Sequence, residues 1–469
     1  MNTIALPFAA ERSDPEMRRF LNWVLVWIIL ANAGFMLLWL VGAPPRHIEI
    51  LTIGFVGLIA RRMPYPVRAL AFVGVMAFAI LCFIGGLFNL SFSSLVYSFK
   101  FFAEINPSNS IEYIIVACAV AVVLGAALWF LRRDTVFERT SLVVAAAAMV
   151  GGLAGADIYM GKGMRGHYKR EAPVGAYFES ATQKTGFAGR ADGQRHLVLI
   201  IVESLGVPKD NPEMARLLFT DLKIPAVEAR YEMSEGTSLY YNSTTAGEVR
   251  EMCGRWGDYY DLLDRKDDGC LPAQLAAKGY ETRALHSFIG SFFERSTWYP
   301  NIGFQQTEFD KTLVKNGALT CGGVFPGACD RFVPQMIASK LKAADKPQFL
   351  YWLTVNSHLP VPPGLNLNVD NCARISPELA RDFPMICRQF SIFHDIDTAL
   401  AKEITAADFP EADILIVGDH MPPYFDRHHR TQFDPEHVPW LYLKARDRSS
   451  GPADSTGRLV QSGAHAQKG

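Results

Sequence analysis

The chain has 469 residues, with 46 lysines and arginines against 47 aspartates and glutamates and a formal net charge of −1. That balance, with no basic stripe and no basic patch interleaved with aromatics, excludes a nucleic-acid binder. A positive mean hydropathy averages two unlike halves, apolar runs up to about residue 160 and ordinary globular composition from about 195 onward.

In chain order, the first half offers five apolar segments. "FLNWVLVWIILANAGFMLLWLVGA" (20–43), 67–90, 111–131 and 141–160 each come near or exceed the roughly 20 residues that a bilayer core requires. The fifth, 49–60, is short. Arg12, Arg18 and Arg19 precede the first segment, Arg61, Arg62 and Arg68 follow the short one, and Arg132, Arg133 and Arg139 precede the last; the opposite loops hold only Arg46 and Lys100. The positive-inside rule then predicts five transmembrane helices in residues 1–160, a cytoplasmic N-terminus and an external C-terminal domain. Without the short span the parity flips and that domain turns cytoplasmic. The first segment is too long for a cleaved signal peptide and lacks a small-residue cleavage site.

Residues 161–195 read as a polar interfacial linker, with Lys162, Arg165, Lys169 and Arg170 available to lipid phosphates. Residues 446–469 have the small, polar composition of a disordered tail. Cys82 and Cys118 fall inside apolar segments, whereas Cys253, Cys270, Cys321, Cys329, Cys372 and Cys387 all lie in the second half without a CxxC or zinc-ribbon spacing. Six such cysteines predict three disulfides in an oxidising compartment. Sequence leaves the connectivity open; the expected set joins neighbours, Cys253–Cys270, Cys321–Cys329 and Cys372–Cys387.

Between 196 and 445 helical and strand patterns alternate. "HLVLIIV" (196–202) is a strand buried on both faces. Helices over 271–279, 330–344 and 390–407 lead into strands over 280–287, 348–358 and 413–420. This predicts an α/β domain, a mainly parallel sheet sandwiched by helices. Ligands of such sheets bind beyond the carboxyl ends of the strands. Four of those ends carry useful chemistry: Glu203, His286, His358, and the pair Asp419 and His420. Carboxylate, imidazole and hydroxyl together suit one divalent cation, manganese or zinc, with magnesium a third option. Hydroxyls cluster in "NSTTAGE" (242–248), just ahead of a helix. Thr245 and Glu248 fit a capping box; alternatively, one hydroxyl is a nucleophile activated by the cation. His428 and His429 of "DRHHR" read as a solvated loop, and Asp258 and Asp261 as surface charges.

"LIIVESLG", "NSTTAGE", "HSFIGSFFER", "TVNSHLP" and "VGDH", in this order, resemble the alkaline phosphatase and sulfatase superfamily. The likeness is strongest to its membrane branch, the lipoteichoic acid synthase-like phosphoglycerol transferases, which are related to phosphoethanolamine transferases. That resemblance implies an alkaline phosphatase-like fold and the metal ligands Glu203, Asp419 and His420. Counting back from Glu248 in the family's T-x-x-x-E pattern gives Thr244 as nucleophile and fourth ligand. His286 and Arg295 match headgroup-binding residues, Phe293 stands where the family shows Trp, and His358 matches a further substrate-side histidine. The formylglycine motif C/S-x-P-x-R of true sulfatases is missing.

The resemblance therefore implies transfer of a phosphoglycerol headgroup from phosphatidylglycerol, through a phosphothreonine, to an envelope glycan or lipid hydroxyl. Phosphatidylethanolamine as donor to a glycan or lipid A, phosphoester hydrolysis, and a non-catalytic envelope scaffold are the alternatives.

Overall fold

A computed structural model describes residues 14–40, 45–87, 111–160, 172–323, 325–424 and 427–446. The four basic residues of the expected linker and the tail after 446 lie outside these. Among the described residues, the helical segments Pro15–Met36, Tyr65–Gly85 and Thr140–Met160 are long and apolar enough to cross a membrane. The two other expected spans form the helices His47–Ala60, 14 residues long, and Ile111–Phe130, 20 residues long, so a count of five rests on the short helix His47–Ala60. These helices share a core of their own. A Cβ at Gly57 would lie 2.6 Å from the Trp27 ring, and the Gly57 carbonyl accepts the Trp23 indole N–H at 2.9 Å.

The second half is built on a seven-stranded sheet. Its strands are β1 (His196–Val202), β2 (Tyr231–Leu239), β3 (Glu281–His286), β4 (Gln306–Glu308), β7 (Gln348–Leu353), β8 (Ala412–Gly418) and β9 (His437–Ala445), with β5 (Thr320–Cys321) and β6 (Gly327–Ala328) forming a separate ribbon. The order is β2-β9-β8-β1-β7-β3-β4. β8, β1, β7, β3 and β4 run parallel, as expected, while β9 is antiparallel to both β8 and β2. Every residue of β1, β7 and β8 is buried, the pattern of strands covered on both faces. Register does the rest: Val202 pairs with Gly418, Ile201 with Leu353, and Leu353 with His286. The four chemistry-bearing strand ends therefore finish at one level.

Residues 181–190, expected in the linker, instead form two short helical turns whose Ala181 and Phe187 are in the domain's core. Apolar side chains at those two positions outweigh the polar composition around them. The first turn is bolted to the helix Thr244–Cys253: the amides of Ala181 and Thr182 and the Thr182 hydroxyl donate to Glu251 at 3.3, 2.9 and 2.6 Å. Glu251 also pairs with Arg250 at 2.7 Å, both fully buried. Arg250 in turn donates to the carbonyls of Gly418 and Asp419 at 2.9 and 3.2 Å. All three expected disulfides are formed, and Cys253–Cys270 pins the end of that same helix.

Glu251→Ala leaves Arg250 buried without a counter-charge and is expected to cost about 3–5 kcal/mol. Glu232→Ala, which breaks only an exposed pair with Lys444, should leave thermal unfolding of the detergent-purified chain unchanged. Asp397 offers a pH test. It lines an apolar cavity with Val202, Leu205, Phe219, Phe390 and Phe393, and burial pushes its carboxyl well above the usual carboxylate range, helped by the charge of Asp221. A carboxyl raised in the folded state favours folding as pH falls through its folded pKa and opposes folding above it. Asp397→Asn should thus raise the melting temperature at neutral and alkaline pH, with a gain that shrinks on acidification.

Candidate active site

β1 delivers Glu203 to the sheet edge, and the next residue, Ser204, adopts a left-handed φ of 56°. This turn lets the Ser204 amide donate to Asp419 Oδ1 at 2.8 Å and its hydroxyl to Glu203 Oε1 at 2.8 Å. The Glu203 amide donates to Thr354 Oγ1 at 2.9 Å, and Ser357 Oγ donates to the Glu203 carbonyl at 2.6 Å. The ends of β1, β7 and β8 are thereby sewn together. Two glycines make the close approach possible. A Cβ at Gly418 would meet the Leu205 carbonyl oxygen at 2.0 Å, and one at Gly247 would meet Asp419 at 3.2 Å.

Thr244 opens the ten-residue helix Thr244–Cys253, which ends at Gly254 in the left-handed conformation. Its N-cap is Ser243, in extended conformation and making no side-chain cap hydrogen bond. First-turn amides without intrahelical partners suit an anion. The capping-box expectation fails here. Glu248 does not reach back to the helix start; its carboxylate accepts from Arg295 at 2.8 Å, Tyr299 at 2.5 Å and Tyr351 at 2.9 Å. Thr245 instead hydrogen-bonds Asp258. A carboxylate at i+4 of a buried helix found a cation and two phenols across the core, a stronger set of partners than one terminal amide.

The Thr244 hydroxyl lies 3.1 Å from Glu203 Oε2 and 3.2 Å from His420 Nε2. His420 Nε2 is 3.5 Å from Glu203 Oε1 and 3.3 Å from Asp419 Oδ2. Its Nδ1 faces the Met421 carbonyl at 2.9 Å, which leaves Nε2 for the cluster. Burial, with the charge of Glu203 beside it, pushes the Asp419 carboxyl up to about 6. His420 is held above its usual range: burial lowers it, but Asp419 and Glu203 together outweigh that. Asp419 Oδ2 is buried without a hydrogen-bond partner, and one ligand atom each of Glu203, Asp419 and His420 lies within 4.8 Å of the others. Two crowded acids, one imidazole and an orphaned oxygen fit a divalent cation. The other such group, Cys253, Asp267 and Cys270, has its sulfurs in a disulfide.

Of the remaining expected residues, His358 is close enough to His420 and Asp419 to feel their charges. His286 is buried at the end of β3, with Nδ1 at 3.2 Å from the Leu353 carbonyl and Nε2 without a partner; burial, then the charge of Arg295, holds it well below the usual imidazole range. Arg295 is 2% exposed, and its guanidinium is taken up by Glu248 and by the Phe292 carbonyl. Phe293 has a left-handed φ of 52° and its ring lies 5.5 Å from that guanidinium. His358 lies against Phe325 with ring centroids 4.2 Å apart. Its Nδ1 faces the Leu359 carbonyl at 2.8 Å, and burial lowers it to about 4.

Asp258 is not the surface charge expected of it. Its carboxylate accepts from the Tyr259 amide at 2.8 Å and from Asn242 at 3.4 Å, and burial raises it to about 6. Asp261 is exposed, as expected. His428 and His429 pack on Phe383 and do not join the Glu203–Asp419–His420 group. Sequence reasoning passed over Asp330, whose Oδ2 accepts the amides of Val355 and Asn356 at 3.0 and 2.7 Å. It thereby fixes the loop that carries His358. Its place directly after Cys329 was the only visible hint.

Comparison with known proteins gives the chain its relatives. A curated one, the putative cyclic beta-1,2-glucan modification protein of Rhizobium meliloti (strain 1021), is 24% identical over 167 residues, 35% of this chain and 25% of that protein; the match thus spans a quarter of the relative's length. The solved lipoteichoic acid synthase LtaP of Listeria monocytogenes is 16% identical with a TM-score of 0.43, over 55% of this chain and 67% of that one. Streptococcus pyogenes phosphoglycerol transferase GacH is 16% identical with a TM-score of 0.37, over 56% and 73%. The C-terminal periplasmic domain of EcEptC from Escherichia coli is 14% identical with a TM-score of 0.32, over 55% and 74%. The sulfatase family model matches residues 195–440, more than half of the sequence and the whole site from Glu203 to His420, and the chain belongs to the sulfatase family.

Proposed function

We propose that the protein is a membrane-anchored phosphotransferase that moves a phosphoglycerol headgroup from a phospholipid to an envelope glycan through Thr244. The observation that carries this reading is the Thr244 hydroxyl, within hydrogen-bond distance of both Glu203 and His420 at an uncapped helix start. Threonine at this position, without the formylglycine motif, favours phosphoryl over sulfuryl transfer within the family. The apolar helices support membrane attachment, and the three disulfides support an external, oxidising location for the domain. A glycan acceptor agrees with the Rhizobium relative, a putative cyclic beta-1,2-glucan modification protein.

Glu203, Thr244, Asp419 and His420 would hold one divalent cation, whose charge stabilises the transferring phosphoryl group and favours the ionised threonine. In the first half-reaction Thr244 Oγ1 bonds to phosphorus and the bond from phosphorus to the diacylglycerol oxygen breaks. That oxygen leaves with the electron pair and takes up the proton that Thr244 gives up, so the step is proton-neutral. First-turn amides of the helix face the phosphoryl oxygens. In the second half an acceptor hydroxyl attacks phosphorus and Thr244 Oγ1 leaves. His358, neutral at physiological pH because burial lowers it to about 4, accepts a hydrogen bond from the acceptor hydroxyl at Nε2 and orients it, and the acceptor's proton passes to the departing Thr244 oxygen. Arg295 supports the headgroup pocket from behind, through Phe293.

A second reading, ethanolamine in place of glycerol, is favoured by the rings beside the site. Phe288, Phe292 and Phe325 lie 5.3 to 5.5 Å from one another, with Phe293 at 4.3 Å from Phe292. Their faces attract an ammonium group.

With headgroup-labelled lipids and purified full-length protein, the peptide containing Thr244 should gain the mass of glycerol phosphate. A gain of ethanolamine phosphate would select the second reading, and the same adduct on Thr244→Ala would end the nucleophile assignment. Thr244→Ala should lower turnover by about three orders of magnitude or more. Manganese or zinc at about 100 times its Kd should stabilise the metal-stripped chain by about 2.7 kcal/mol. Asp419→Asn should abolish most of that thermal shift; an undiminished shift would place the cation elsewhere.

A further inference from the structure

One cluster of rings takes no part in the site or in the domain core. Phe178 and Tyr241 both lie edge-on to Trp256, with centroids 4.9 and 4.8 Å apart. The Trp256 indole donates to the Tyr177 carbonyl at 3.3 Å. Tyr177 is 74% exposed and Val174 fully so, and none of the five belongs to the domain's hydrophobic core or packs against it. We propose that this aromatic face docks on the headgroup layer of the membrane, and so sets the height of Thr244 above the lipid.

Three observations choose a lipid surface as the occupant. The face lies at the point where the chain enters the domain from Thr140–Met160, a helix apolar and long enough to span. Only residues 161–171 intervene, a reach of at most about 40 Å, and they carry Lys162, Arg165, Lys169 and Arg170, charges suited to anionic headgroups. Its composition is that of an interfacial belt, in which Trp and Tyr pair an apolar ring with a polar tip. The face is also rigid with respect to the chemistry. Tyr241 precedes Thr244 by three residues, and the segment after Phe178 is fixed to the nucleophile helix through Glu251, with Arg250 continuing to the Asp419 carbonyl. A patch docked at the headgroup plane thus holds nucleophile and metal ligands at one fixed distance from it.

This inference rests on the apolar helices spanning a membrane, not on the phosphotransfer chemistry, and its test reads location rather than turnover. The full-length chain carrying Tyr177→p-benzoylphenylalanine is reconstituted in vesicles of phosphatidylethanolamine and phosphatidylglycerol, irradiated and digested. A phospholipid adduct on the peptide containing residue 177, severalfold above that at the exposed control Val314→p-benzoylphenylalanine, is the expected result. Equal adducts at both positions, cross-links from 177 to the chain's own membrane helices alone, or no cross-link at 177 would each overturn it. In a second measurement, the exposed double change Val174→Ser and Tyr177→Ser should raise KM severalfold for vesicle-borne donor. Turnover of a water-soluble short-chain phosphodiester should be unchanged. An equal loss on both substrates would contradict a docking role, whereas no turnover of either by the wild type would bear on the proposed function and leave the cross-linking result standing.

Discussion

Two carboxylates forced to the same level of a buried sheet edge are the constraint on which the rest of the site depends. The parallel register of β1 and β8 pairs Val202 with Gly418, so Glu203 and Asp419 must emerge side by side. Neither can leave without breaking strands that are buried along their whole length. Burial and the charge of Glu203 raise Asp419 to about 6, while the two carboxylates, against burial, hold His420 above its usual range. The nearest arginine, Arg250, turns its guanidinium to Glu251 and to backbone carbonyls rather than to these carboxylates. Positive charge is what the cluster lacks, and the Thr244 hydroxyl sits at its rim.

The surrounding polar pairs divide the labour. Glu248 with Arg295, Tyr299 and Tyr351 locks one side of the helix Thr244–Cys253 to the sheet. Glu251 and Arg250 lock the other side to the chain's entry segment and to the end of β8. Such pairs contribute little net stability compared with apolar packing, because burying the charges costs about as much as their attraction returns. What they give is a helix start that cannot slide against its ligands, at the small tolerances that phosphoryl transfer demands.

Much of this was legible in the sequence, and the reasons differ by element. β1 is an apolar run after His196 and β8 one after the buried Asp413, each followed by an acid, so both the strands and their ends are visible. The disulfides join neighbouring cysteines across short loops, the expected set, although six cysteines by themselves leave the pairing open. By contrast, β2 reads YEMSEGTSL, with too few apolar residues to signal a strand. β9 contains Pro439, which argues against an interior strand; it is tolerated because its pairing with β8 covers only Trp440 to Leu443. Glu248 and Asp258 were misread because a carboxylate beside a helix start has a local explanation, capping or exposure, while their real partners lie across the fold. Arg295 could be located by motif but not its orientation, which is set by Glu248. Spanning length alone does not decide the short apolar helix His47–Ala60.

The central claim is that Glu203, Asp419, His420 and the Thr244 hydroxyl form one cation site around the nucleophile. Anomalous diffraction at the manganese edge, from crystals of the protein grown with Mn²⁺, tests it most directly. The account predicts a single strong peak at ligand distance, about 2.0–2.2 Å, from Glu203, Asp419 and His420, with Thr244 Oγ1 turned to it. No peak there, with Thr244 still hydrogen-bonded to Glu203, would contradict it.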